Sequence, residues 1–164
     1  MARPVIVAVS GWKNAGKTTL IERILPRLQR EGLRVAVIKH DGHSFTADPP
    51  DTDTGRFLAA GAYGAAVYDG EKYKIILREH IEEHTLALKF PEADLVLFEG
   101  GRYTQWPKLE VLREGQPVCI PETVLALITD LPLTYPNTPS VSPNDVEAIS
   151  DILLNYLSEV RGRG

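Results

Sequence analysis

The sequence predicts an α/β fold in three layers, with a mostly parallel sheet between helices and an antiparallel hairpin added to it. Three observations carry this. Val5-Ile6-Val7-Ala8-Val9 is an unbroken apolar, β-branched run of the kind found in strands buried on both faces. Lys17 to Arg30 follows with helical periodicity, Leu20, Ile21, Ile24, Leu25 and Leu28 forming one apolar stripe. Leu33 to Ile38 is then a second apolar strand, and strand, helix and strand in that order make a βαβ unit with parallel strands.

The remaining elements follow in order. Pro26 inside the first helix is expected to kink it, and Gly32 to close it. His40 to Thr52 is polar, contains Pro49-Pro50, and reads as a long loop. Asp53 to Ala62 reads as a short helix. Ala65 to Tyr68 and Tyr73 to Leu77 flank Asp69-Gly70, a hairpin turn signal. A helix is expected over Glu79 to Lys89, then strands at Leu95 to Phe98, Leu109 to Leu112 and Val124 to Ile128. A proline-rich loop from Leu131 to Pro143 leads into a last helix, Asn144 to Val160, with Ser142 as its expected N-cap.

With 164 residues, 43% of them apolar and 24% charged, the chain is expected to form a single domain, 1–164, around one core. The net charge of −4 argues against a nucleic-acid partner, whose phosphates call for a basic surface. It does not argue against a nucleotide, which a few aimed amides and one lysine can hold. No apolar stretch approaches the roughly 18 residues of a membrane span. Cys119 is the only cysteine, which excludes an intrachain disulfide; with no secretory leader recognisable, a reducing cytoplasmic location is expected.

Gly11-Trp12-Lys13-Asn14-Ala15-Gly16-Lys17-Thr18 matches G-x-x-x-x-G-K-[ST] at every specified position, between a strand and a helix as the mechanism requires. Gly11 and Gly16 let the backbone close around an oxyanion, and the N–H groups from Lys13 to Thr19 are expected to converge on phosphates at the positive end of the helix dipole. Lys17 is expected to reach the β- and γ-phosphates and the Thr18 hydroxyl to bind Mg²⁺. The fold class is then a P-loop NTPase three-layer sandwich. Sites of such sheets lie beyond the carboxyl ends of the strands. Glu99, directly after Leu95 to Phe98 and before Gly100-Gly101, is therefore the first candidate to hold the metal or orient water. Asp53, like Asp51, lies at the opening of the second helix, where it either reaches the metal or caps its helix. The D-x-x-G and N-K-x-D signatures of Ras-like GTPases are absent. In many P-loop proteins built as paired subunits a second lysine occupies the position of Trp12.

Taken in order, Gly11 to Thr19, Val37-Ile38-Lys39-His40, Asp53 to Ala62, Phe98-Glu99-Gly100 and Ala126-Leu127-Ile128-Thr129-Asp130 resemble the molybdopterin-guanine dinucleotide biosynthesis protein B (MobB) family along essentially the whole chain. The resemblance implies a GTP-binding, weakly hydrolysing homodimer that assists molybdopterin guanylyltransferase as an adapter. It places phosphates on Gly11 to Thr19, Asp53 and Glu99 near the metal, and Asp130 where guanine is read, although a strand-end Asp before Leu131-Pro132 also suits a turn. Where many relatives carry an aromatic residue and a lysine after Glu-Gly, this chain has Gly101-Arg102-Tyr103.

Two other functions compete. A small-molecule or nucleotide kinase would need an acceptor pocket and an arginine-rich lid, for which only Arg56, Arg78 and Arg102 offer themselves. A nickel-insertion GTPase would carry a His-rich tract or a cysteine pair, against four scattered His and one Cys here. His80-Ile81-Glu82-Glu83-His84 matches an inverted zinc-protease signature, but reads as a solvated helix face. His40 and His43 are loop residues with possible metal or phosphate roles, Cys119 reads as a small core residue, and Trp12 as surface packing near the nucleotide.

Overall fold

The computed structural model describes residues 3–42 and 45–162; His43 therefore lies outside the described residues. In chain order the elements are β1 (Val5–Ser10), α1 (Lys17–Arg30), β2 (Val35–Lys39), α2 (Asp53–Ala59), β3 (Gly64–Tyr68), β4 (Tyr73–Leu77), α3 (Glu83–Ala87), β5 (Leu95–Glu99), β6 (Lys108–Val111), β7 (Val124–Ile128), β8 (Ser140–Val141) and α4 (Val146–Gly162). A 3₁₀ turn at Pro121–Thr123 precedes β7. The chain divides into two compact units, residues 1–40 with 84–164, and residues 41–83.

The larger unit is built on a six-stranded sheet, in the order β2-β5-β1-β6-β7-β8, whose neighbouring pairs are all parallel. The two strands of the βαβ unit are parallel but not adjacent, because β5 lies between them. All five residues of β5 are buried. Alternation then sorts each strand onto two faces. Val7, Val9, Leu95, Leu97, Leu109, Val111, Ala126 and Ile128 meet the apolar stripe of α1 and Ile149 and Leu153 of α4 in one core. Ile38, Val96 and Phe98 form the other, against Ala87 of α3, with Trp106 standing edge-on to Phe98 at 5.0 Å between ring centroids.

α1 spans Lys17–Arg30 as expected, running through Pro26, and the Gly32 N–H donates back to Gln29 O (2.9 Å). Other boundaries differ from the sequence reading. The last helix is capped by Asp145, whose carboxylate accepts from the Ala148 N–H (3.0 Å), rather than by Ser142. Ser142 Oγ instead accepts from Asn144 N–H (3.3 Å) in the turn before it. The proline-rich loop contains β8, which pairs Ser140 with Leu127 and Val141 with Ile128 at the sheet edge. The helix expected over Glu79 to Lys89 shrinks to Glu83–Ala87, its end held by amides of Leu88, Lys89 and Phe90 bonded back to His84, Leu86 and Ala87 carbonyls.

In the smaller unit α2 is capped by Thr52, whose hydroxyl accepts from the Gly55 N–H (3.1 Å). The cap is therefore Thr52 and not Asp53. β3 and β4 pair antiparallel as a separate two-stranded sheet, in register from Gly64 with Leu77 to Tyr68 with Tyr73. Asp69 shapes the turn by accepting from the Glu71 and Lys72 N–H groups (2.8 and 2.9 Å). Asp48, its carboxylate almost wholly buried, receives Thr54 and Lys74, which hold it below the usual carboxylate range.

Candidate functional site

Between β1 and α1 the chain turns tightly around Gly11 and Gly16. A Cβ on Gly11 would lie 2.2 Å from the Val111 carbonyl oxygen of β6, so this position excludes every side chain. The loop continues through Asn14 at φ 63° to Gly16 at φ 96°, both in the left-handed region. The first intrahelical bond of the turn runs from Leu20 N–H to Gly16 O (2.9 Å). The Lys17, Thr18 and Thr19 amides thus belong to the unsatisfied first turn of a helix, the arrangement that receives anions. Ala15 differs from expectation: it is buried, and its N–H donates within the loop to Trp12 O (3.3 Å).

The sheet order sets β5 beside β1 and brings two of the expected residues together. Glu99, 8% exposed at the carboxyl end of β5, receives the Thr18 hydroxyl at 3.0 Å from each carboxylate oxygen. Its backbone is fixed as well, since Glu99 O accepts from the His40 N–H (3.1 Å) and the Gly100 N–H donates to Val9 O (3.0 Å). The Ser10 hydroxyl donates to Gly100 O. Thr18 and Glu99 are hard oxygen ligands, and Mg²⁺ is held by one or two carboxylates, a hydroxyl and phosphate oxygens rather than by a protein cage. The donor set therefore fits that ion. No cluster of three or more His, Cys, Asp or Glu placed to hold a metal occurs among the described residues. Asp53 belongs to the smaller unit, where it is exposed and 3.8 Å from the Arg56 guanidinium.

Lys17 folds its ammonium back over the loop, donating to Trp12 O (2.6 Å) and Gly11 O (3.3 Å). Desolvation lowers its pKa; Glu99 opposes that shift, and the positive charges of Lys39 and Arg102 add to it. Lys39 lies directly beside Glu99 across β2 and β5 and donates to Glu99 Oε1 (3.1 Å). Arg102 stacks over Tyr103 and Trp12, 4.8 and 5.6 Å from the ring centroids, and Trp12 Nε1 donates to Gln116 O (2.9 Å). Lys13 and Asn14 are exposed.

A cleft of about 250 Å³ runs away from the loop, lined among others by Gly16, Thr19, Arg113 and Asp130. Asp130, just after β7, thus faces the same space as the start of α1. Within the sheet, Lys108 and Glu110 of β6 are completely buried. The Lys108 ammonium donates to Thr104 O (2.7 Å) and Gly101 O (3.2 Å), anchoring the turn that carries Arg102; burial lowers its pKa. Glu110 accepts from the Cys119 N–H (3.1 Å) and the Tyr135 hydroxyl (3.0 Å). The sequence reading passed over Lys108, Glu110 and Arg113. The signal for the first two is a charged residue alternating with apolar ones in a strand whose sheet is covered on both faces. For His80 and His84 the shared helical face does not form, because α3 begins only at Glu83.

Comparison with known proteins shows the family. A family model for molybdopterin guanine dinucleotide synthesis protein B matches residues 6–130. Molybdopterin-guanine dinucleotide biosynthesis adapter proteins are 28% identical in Escherichia coli, over 96% of this chain and 95% of that one, and 30% identical in Haemophilus influenzae, over 96% and 92%. The crystal structure of Bacillus subtilis MobB superposes with a TM-score of 0.74 at 29% identity, covering 92% of this chain and 96% of that one.

Proposed function

The chain belongs to the molybdopterin guanine dinucleotide synthesis protein B family and is an adapter of molybdopterin guanine dinucleotide biosynthesis; from that premise we propose that it works by binding GTP and Mg²⁺ in the loop from Gly11 to Thr19. The observation that carries this is the Thr18 hydroxyl set 3.0 Å from both oxygens of Glu99, under a loop whose following helix offers free amides. Phosphates would lie on the amides of Lys13, Asn14, Gly16, Lys17, Thr18 and Thr19, and Lys17 would leave the loop carbonyls for the β- and γ-phosphates. Mg²⁺ would sit on Thr18 and Glu99, where it would neutralise phosphate charge. Asp130 would accept from the N1–H and 2-amino group of guanine in the cleft beyond Thr19, selecting guanine over adenine.

In this reading the whole chain acts as one nucleotide-binding domain in the reducing cytoplasm, where the free Cys119 stays a thiol. No described helix is long and apolar enough to cross a membrane. GTP turnover is slow: Arg102 is engaged by two aromatic rings, and an arginine supplied to the transition state is worth roughly 10³–10⁵ in rate. The guanylyltransferase that joins GMP to molybdopterin is the proposed partner. A homodimer is part of the same proposal, supported by the exposed apolar residues Val67, Tyr68, Tyr73, Ile75 and Leu77 of the hairpin.

Calorimetry with GTP and ATP, with and without purified molybdopterin guanylyltransferase, tests the reading. GTP is expected to bind more tightly than ATP, and Lys17→Ala to abolish binding of both. Unchanged GTP affinity in that variant would remove the phosphate site; equal affinities and no contact with the transferase would remove guanine selection and the partner.

A further inference from the structure

The proposed phosphate site holds more positive charge than Lys17 supplies, and one of its cations is engaged where a metal would sit. Lys39 and Glu99 are direct cross-strand partners at the carboxyl ends of β2 and β5, and the ammonium of Lys39 lies 3.1 Å from Glu99 Oε1. The same carboxylate receives Thr18. Lys39 is thus a monovalent cation on the residue inferred to hold Mg²⁺. Its side chain is 58% exposed against 10% for Glu99, so the lysine end of the pair is the one free to move. Lys17 also feels the charges of Glu99, Lys39 and Arg102, so more than one cation acts at the mouth of the loop.

We propose that Lys39 is a second phosphate-binding lysine, supplied in cis by β2, which pairs with Glu99 in the nucleotide-free protein and passes to the γ-phosphate of a bound nucleoside triphosphate. The charges require the exchange. A divalent ion on Thr18 and Glu99 takes the carboxylate oxygen that Lys39 now occupies, and two cations on one oxygen repel each other. The γ-phosphate arrives with the ion and offers unsatisfied anionic oxygens beside it. A four-carbon stem with three rotatable donors is suited to that short transfer. Lys39 thereby becomes the residue that distinguishes triphosphate from diphosphate.

This rests on the nucleotide-binding reading, and the experiment separates the two. Binding of a non-hydrolysable GTP analogue and of GDP is measured by calorimetry with Mg²⁺ for the wild type, Lys39→Gln and a Lys72→Gln control on the hairpin turn. Thermal melts establish that each variant is folded. The wild type and the control are expected to prefer the triphosphate. Lys39→Gln is expected to lose triphosphate affinity by roughly 10–100-fold, the range of a charge-assisted contact, while GDP affinity moves less than about threefold. Equal losses for both nucleotides would make Lys39 a mere support for Glu99, and no loss for either would make the ion pair incidental; both overturn the proposal. Wild-type protein that binds neither nucleotide would overturn the site itself, and Lys39's role with it.

Discussion

At Gly11 the loop passes so close to β6 that a methyl group has nowhere to go. The Val111 carbonyl that a Cβ would strike belongs to a buried strand, and so it cannot yield as a flexible side chain would. Gly11→Ala should therefore cost more than about 2 kcal/mol, read as a lowered midpoint in thermal or urea denaturation, and should weaken nucleotide binding further in what remains folded. Cys119 tests the buried cluster under β6. Burial, reinforced by the neighbouring Glu110 carboxylate, pushes its thiol up to about 12 from an ordinary value near 9. The thiol should stay unreactive toward iodoacetamide at pH 8 until denaturant is added. A pKa raised in the folded state means that the unfolded chain loses its proton first. The stability of the wild type relative to Cys119→Ala should therefore hold below pH 9 and fall between about 9 and about 12. A flat difference across that interval, in melts at stepped pH, would contradict the burial argument.

Among the elements, α4 depends on a cap that its sequence offered in several forms. Ser142, Asn144 and Asp145 are all good capping types, and the choice fell to Asp145 because its carboxylate meets the Ala148 N–H. Asp145→Ala should cost about 1 kcal/mol, measured by denaturation, and Ser142→Ala clearly less. α1 shows a different balance. Pro26 removes one intrahelical donor, yet Leu20, Ile21, Ile24 and Leu28 lie buried against the sheet, and that burial outweighs one lost bond. The segment before α3 has no such compensation, which is why a helical pattern from Glu79 shortened to five residues. β8 went unread in the sequence because two residues among prolines carry no periodicity; only the edge of β7 gives them a partner.

For the whole molecule, the hairpin leaves Val67, Tyr68, Tyr73, Ile75 and Leu77 exposed, Tyr68 and Tyr73 most of all. If a second copy covers it, Ile75→Lys should raise the dimer dissociation constant at least about tenfold in sedimentation equilibrium, since a charge buried at an apolar contact is left unpaired. A monomeric wild type, or an unaffected dimer, would remove the hairpin from the interface. Either result leaves the phosphate loop untouched.

The phosphate loop, the strand before it, the helix after it and Glu99 at a strand end were legible in the residues themselves. Each rests on local chemistry: glycines where the backbone must bend, a lysine and a hydroxyl at fixed offsets, apolar runs of strand length. What needed the tertiary structure was every relation between segments far apart in sequence. Only the insertion of β5 between β1 and β2 sets Glu99 against Thr18 and Lys39. Lys108 and Glu110 have the types of surface residues, yet they lie wholly buried because backbone groups of the loops on either side of β6 and the Tyr135 hydroxyl satisfy them. Local propensity acts over a few residues, whereas a charge takes its partner, and with it its role, from whichever strand the sheet brings alongside.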